Sequence, residues 1–225
     1  MNEKEGSIDS RRARSEATKD ALMRAAERLI AERGVENVSI REIVAAAKQK
    51  NESALQYHFK NLTGLIEAIH DQRSEQIQHK RAALLEAKLA HSSKPALREL
   101  CALMIEPAFQ LARSHQDFRN YIKAFGHILA LAETSPVQLV QGKESANRLA
   151  QLLIGELPHL DKTDYRARIE AAIRLCAASM HHQARQSNAF RGKQSDVFLN
   201  HLVDALFGLL SAPVSAETQS LKKKR

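Results

Sequence analysis

The chain has 225 residues and a formal net charge of +8, enough length for a small helical domain beside a larger one with its own core. With 8 Gly, 5 Pro and 44% hydrophobic residues its composition favours helix almost everywhere. No apolar run approaches the ~20 residues that span a bilayer, so a membrane span is not expected. The first sixty residues carry twelve basic against ten acidic side chains, so bulk charge allows a polyanionic partner without arguing for one.

Residues 1–13 are polar, without apolar period, and are expected to form a flexible basic arm; they contain no apolar signal-peptide core. A first helix is predicted from Ser15 or Thr18 to Glu32. Its apolar stripe is Leu22, Ala25, Ala26, Leu29 and Ile30, and Gly34 stops it. Glu27, Glu32 and Glu36 are expected on solvated faces. Val38 to Lys60 then reads as two short helices joined by a tight turn. Ser39 and Glu42 form a capping box, and Ile40, Ile43, Val44 and Ala47 give one buried stripe. Asn51 is the next N-cap, opening a helix in which Ala54, Leu55 and Phe59 pack inward while Glu52, Ser53, Gln56 and Tyr57 stay outside. So short a helix with a polar outer face gains little alone. Held on a rigid partner, it suits the major groove of DNA, about 12 Å wide.

Ile43 to Ala47, followed by Ser53-Ala54-Leu55-Gln56-Tyr57-His58-Phe59-Lys60-Asn61 and then Leu65, resembles the DNA-binding segment of the TetR/AcrR regulators. The resemblance runs from about Thr18 to Ile69. It implies a three-helix head in which Tyr57 and Lys60 grip phosphates, with His58 in the same run. Ser39 and Arg41 stand at a positive helix end and are candidates for further phosphate contacts, and Lys48 and Lys50 add local positive charge. Glu52, Ser53 and Gln56 are the candidates for base edges. Lys48 departs from the family pattern, which places Gly there. A left-handed backbone would cost Lys ~1 kcal/mol, so either the turn avoids that conformation or Lys48 accepts strain.

Asn61 or Thr63 starts a long helix through Leu65, Ile66, Ile69, Ile77, Leu84, Leu85 and Leu89. Pro95 opens another, and one near 117–132 follows. Ser135-Pro136 is expected to cap a helix ending near Leu157, and 162–188 and 194–210 are the last two. The tail, 212–225, is expected to be disordered. In the last two helices Ile169, Ile173, Cys176 and Met180 form one apolar row. Phe198, Leu202, Ala205 and Leu209 form a second, and Leu199, Val203, Leu206 and Leu210 a third. Such doubly striped helices suit either a central core or a two-fold four-helix interface. With the resemblance, a homodimer through Ile173, Met180, Phe198, Leu202, Leu206 and Leu209 is expected.

The resemblance also implies an effector pocket among the middle helices, for which Met104, Phe109, Phe118, Tyr121, Phe125 and His127 are the candidate lining. A Met and aromatic stripe at helical spacing is more often plain core. No catalytic motif, zinc spacing or nucleotide loop is present, and no cofactor or metal is expected. Cys101 and Cys176 lie in apolar helical stretches, which fits a reducing cytoplasm. The chain is therefore expected to be all-α, with a head at 14–61 and an effector-binding and dimerisation domain at 62–211. The expected function is a one-component regulator, a repressor released from a palindromic operator by a small molecule. The alternative is a helical protein-binding adaptor, with an enzyme built on His127 and Glu133 a distant third.

Overall fold

The structure, a computed structural model, describes residues 3–131, 133, 135, 137 and 143–223. Among the described residues there are ten α-helices, one 3-10 turn at Val35–Asn37, and no strand. The N-terminal head holds α1 (Glu3–Arg33), α2 (Ile40–Ala46) and α3 (Ser53–Phe59), closed by the first turns of α4 (Leu62–His91). The body follows as α5 (Leu97–Ser114), α6 (Gln116–Leu131), α7 (Glu144–Glu156), α8 (Lys162–Ala184) and α9 (Gly192–Ser211), with α10 (Ala216–Lys223) at the end.

Two apolar cores result. The head core is built on Leu22, Ala26, Ile43, Leu55, Leu65 and Ile69, all removed from solvent. The body core is built on Leu85, Leu100, Leu103, Phe109, Phe190, Leu206 and Leu210. α6 belongs to both. It packs along α8 on one side and against α1 on the other. Phe118 and Ile122 enter the body core, while Ala124 and Phe125 complete the floor of the head, and Tyr121 touches both. The α6–α8 approach is close enough that a Cβ at Gly126 would lie 2.9 Å from the Cβ of His181.

Three expectations change. α1 begins at Glu3 rather than near Ser15, so the backbone of the expected flexible arm is helical. That stretch lacks Pro and is rich in Glu, Lys and Arg, which continue a helix without an apolar stripe. In the tail, expected to be disordered, Ser215 caps α10 by accepting from the Thr218 amide at 3.2 Å. Lys222 then ties the tail back to Asp161 and to Asp164, the latter at 2.7 Å. Glu27, expected in water, is buried against Arg73 of α4. The helix expected from Ser135-Pro136 to near Leu157 is described from Glu144 to Glu156 as α7; Pro136 and residues 138–142, on which its start falls, lie outside the described residues.

Candidate nucleic-acid interface

α2 is fixed at its start by the capping box the sequence indicates. The Glu42 amide donates to Ser39 Oγ at 3.3 Å, and Glu42 Oε2 accepts from the Ser39 amide at 2.9 Å. Arg33 Nη1 reaches Glu42 Oε1 at 2.7 Å and joins α1 to the cap. The Ser39 amide and hydroxyl hold the Glu42 carboxyl down at about 2, with Arg33 adding to the effect. The Ser39 hydroxyl also donates to Glu42, at 2.7 Å, so its proton is engaged inside the cap. Arg41 beside it is exposed.

The end of α2 resolves the question posed by Lys48. Its amide donates to Ala45 O and the Gln49 amide to Val44 O, both at 3.0 Å, the paired bonds of a Schellman cap. That cap requires a left-handed residue, and Lys48 has φ 56°. Lys48 accepts the strain.

α3 is held from beneath. Leu55 is fully buried and Phe59 nearly so, which fixes the rotation of the helix about its axis. The opposite face is open: Glu52, Ser53, Gln56 and Tyr57 are exposed, Tyr57 to 82%. Asn51 Oδ1 accepts from the Ser53 amide at 3.1 Å and from the Ser53 hydroxyl, so Ser53 is partly committed to the cap. His58 is half-buried, its ring edge-on to Tyr57 at 5.0 Å between centroids. An aromatic so exposed as Tyr57 contributes little to folding and is available to a partner.

A second strained lysine closes α3. Lys60 has φ 68°, and its amide donates to Gln56 O at 3.0 Å. Asn61 then caps α4 by accepting from the Gly64 amide at 2.9 Å. A Cβ at Gly64 would stand 2.1 Å from Phe59 O, so the α3–α4 corner admits only glycine there. Lys48, Lys50 and Lys60 are exposed and in no ion pair among the described residues, and they bracket the open face of α3. The arrangement is a polar reading surface about two turns long between cationic corners. It can meet base edges in the middle and phosphates at the ends.

The body distributes the remaining expected residues differently. Phe109 packs between Phe190 and Phe198, with the Arg113 guanidinium 4.8 Å above its ring. Phe118 lies beneath Arg73. Tyr121 and Phe125 surround His70 at the seam between the cores, with the Tyr121 hydroxyl 3.2 Å from His70 Nδ1. His127 sits beside His181, 5.2 Å between rings, and Met104 is half-buried on α5. These six do not share one cavity, because the aromatic ones serve as core. A cleft of about 550 Å³ opens instead at the seam among Asp20, Arg24, Gln72, Lys80, His115 and Asp117. Of the expected interface residues, Met180, Leu202 and Leu206 are buried in the subunit's own core, whereas Ile173, Phe198 and Leu209 are half-buried. The outer face of α9 carries Val197, His201, Ala205 and Gly208.

Sequence reasoning missed Arg73 and Arg81, both buried. The signal was there: Ile69, Arg73, Ile77, Arg81 and Leu85 step by four along the inner face of α4, so two arginines interrupt an apolar stripe. Among the described residues no three His, Cys, Asp or Glu side chains converge as metal ligands, and no single helix is long and apolar enough to cross a membrane.

Residues 22–69 match the family model described as bacterial regulatory proteins, tetR family. No curated protein matches the sequence significantly. Among solved structures, the fold is similar to that of a protein from Rhodococcus sp. assigned as a TetR-family transcriptional regulator. The TM-score is 0.57 and the identity 14%, over 86% of this chain and 99% of that one. It is also similar to NalD of Pseudomonas aeruginosa, described as the secondary repressor of the MexAB-OprM multidrug efflux pump. There the TM-score is 0.52 and the identity 24%, over 87% of this chain and 96% of that one.

Proposed function

We propose that this chain, whose residues 22–69 match the model of the tetR family of bacterial regulatory proteins, is a DNA-binding transcriptional repressor released from a palindromic operator by a small molecule. The observation that carries the reading is the open face of α3. Gln56 and Tyr57 project from a helix whose Leu55 and Phe59 are locked in the head core, between the exposed Lys48, Lys50 and Lys60. Gln56 reads a base, Tyr57 and Lys60 hold phosphates, and Arg41 adds a contact from the start of α2. The regulator works in the cytoplasm, with the chromosome.

TetR-family regulators bind their operators as dimers and respond to ligands. For this chain the dimer face is the outer side of α8 and α9, where Ala171, Ala178, Val197, Ala205 and Gly208 are exposed. Small side chains at helical spacing let two pairs of helices approach closely about a two-fold axis. Ile173, Phe198 and Leu209 flank that face. The two α3 helices then meet successive major grooves, so the spacing of the heads sets affinity. A ligand that prefers the state with the wrong spacing empties the operator by population shift.

Selection of bound sequences from a random DNA pool, followed by gel shift on the enriched site, tests the reading. Enrichment of a palindrome with half-sites one helical turn or a multiple apart is expected. Absence of any enrichment above a control without protein would leave the adaptor as the better account.

A further inference from the structure

Three arginines, Arg73, Arg81 and Arg119, are buried among the described residues. Two of them are well satisfied. Arg73 holds Glu27 through Nε and Nη2 and donates from Nη1 to Gln76 Oε1 at 2.9 Å. Arg119 donates to Ala112 O at 2.7 Å, to Arg113 O, and twice to Gln116 Oε1. Arg81 differs. Its one hydrogen bond runs from Nε to Leu103 O at 3.3 Å, while Nη1 is enclosed without any acceptor. A guanidinium has five N–H donors in a rigid fork, and a buried one without a counter-charge is costly.

Nothing in the described part of the protein neutralises it. Among the described residues Arg81 takes part in no ion pair: it touches Leu103 O of α5, lies near Cys176 of α8, and is followed one turn later on the inner face of α4 by the buried Leu85. Cys176 is near enough to feel the guanidinium, but burial pushes its thiol up to about 12, so no thiolate serves as counter-ion at neutral pH. Burial brings Arg81 down only to about 10, which leaves it a cation. One turn before it on the same face of α4, Gln78 accepts from Ser145 Oγ at 2.5 Å, a polar pair beside the apolar core.

We propose that Arg81 is the anion-binding residue of the effector site, and that the effector is a small apolar molecule bearing one carboxylate. The proposal rests on the reading of this chain as a ligand-responsive regulator, and it names the ligand class. A carboxylate fits the end of the guanidinium fork with two parallel hydrogen bonds. A neutral molecule would leave the cation unpaired. A dianion would bring a second charge for which the core offers no partner. The remainder of the ligand must be apolar, because Leu103, the protonated Cys176 thiol and the buried Leu85 border this part of the body core. Since those side chains belong to a packed core, an acid at Arg81 parts α4 from α5 and α8. α4 is also the helix whose Leu65 and Ile69 sit in the head core, so that displacement reaches the DNA-binding surface directly.

The test uses the full-length protein and its Arg81→Met variant, melted alone and with benzoate, octanoate, benzamide or octanamide. The acids are expected to raise the wild-type midpoint, by roughly 5–10 °C at a hundredfold excess over the dissociation constant. The amides should leave it unchanged, and Arg81→Met should respond to none of the four. Without any probe, Arg81→Met should melt at or above the wild type, because an apolar side chain of similar size replaces an unpaired charge. Equal shifts with acids and amides, an undiminished acid response in the variant, no shift of the wild type by either acid, or a variant that melts far below the wild type would each overturn the proposal. The two readings separate cleanly. Acid-dependent stabilisation through Arg81 in a protein that enriches no DNA sequence keeps the anion site and removes the regulator. A protein that binds its selected operator but ignores the acids does the reverse.

Discussion

Arg73 of α4 meets both carboxylate oxygens of Glu27 of α1, Nε at 2.6 Å and Nη2 at 2.5 Å, in a site closed to solvent. The pair pins the long helix to the first helix of the head just where the two cores adjoin. Burial pushes the Glu27 carboxyl above its usual range, and the guanidinium opposes that push. Removing one partner leaves the other buried and uncompensated. Glu27→Gln or Arg73→Met should therefore lower stability by ~3–5 kcal/mol, whereas Glu27→Leu with Arg73→Met should recover most of the loss. Urea unfolding of the three variants checks this; a double variant no better than either single one would show that the pair is not the cause.

The strain at Lys48 gives a second expectation. Lys48→Gly relieves a left-handed residue and should stabilise the chain by ~0.5–1 kcal/mol. If Lys48 also touches a phosphate, the same variant should bind the operator with a salt slope shallower by ~0.9 log unit for each phosphate it no longer neutralises. A more stable protein with an unchanged slope would make Lys48 a bystander to DNA.

Reading and gripping should separate on α3. Gln56→Ala should cost ~1–3 kcal/mol on the preferred operator and relax one base position per half-site. Tyr57→Phe should weaken every sequence alike, because a phosphate carries no base information. Affinities for a panel of single-base operator changes decide between these roles, and the reverse pattern would exchange them.

At Gly208 a Cβ would meet nothing within 4 Å in the subunit. Gly208→Glu should therefore leave the monomer folded, and even favour α9, while blocking close approach of a second α9. Sedimentation should show monomers with wild-type helicity. A variant that still sediments as a dimer would place the interface elsewhere.

His70 provides a pH expectation. Burial lowers its pKa below the ordinary 6.5, with Asp71 opposing. The unfolded chain then binds the proton first, so stability is full above about 6.5 and declines as the pH falls below it. His181 is lowered too, mainly by burial, so the comparison must be with His70→Phe. That variant should lose less stability between pH 7.5 and 5.5 than the wild type; an equal loss in both would put the dependence on His181 or on carboxylates.

The head was legible because its signals are local. Ser39 and Glu42 are three residues apart, and Asn51 stands two residues ahead of the Ser53 amide it holds, although the N-cap position itself falls to Glu52 rather than Asn51, so a short window holds each signal and its helix. Leu55 and Phe59 also revealed their inward face by spacing alone. The body was less legible because burial there depends on which neighbour covers a stripe. Leu202 and Leu206 look identical in sequence whether they face a second subunit or their own core; here α5 and α8 pack on α9 and enclose them. Phe118 and Phe125 lie on one apolar pattern of α6 yet serve different cores, since α6 crosses from one to the other. Glu27 was read as solvated because its partner lies 46 positions away, beyond any local rule.

The floor of the head is not encoded in the head. Ala124 and Phe125 come from α6, more than fifty residues past the last turn of α3, and they are buried among Leu22, Ala26 and Ile69. A fragment ending after α4 would therefore expose a greasy underside and tend to aggregate. A chimaera that grafts this reading helix onto a foreign sensor would need to import that stretch of α6 as well. The transplantable module is discontinuous, and a shuffling cut placed only by sequence between α3 and α4 would divide it.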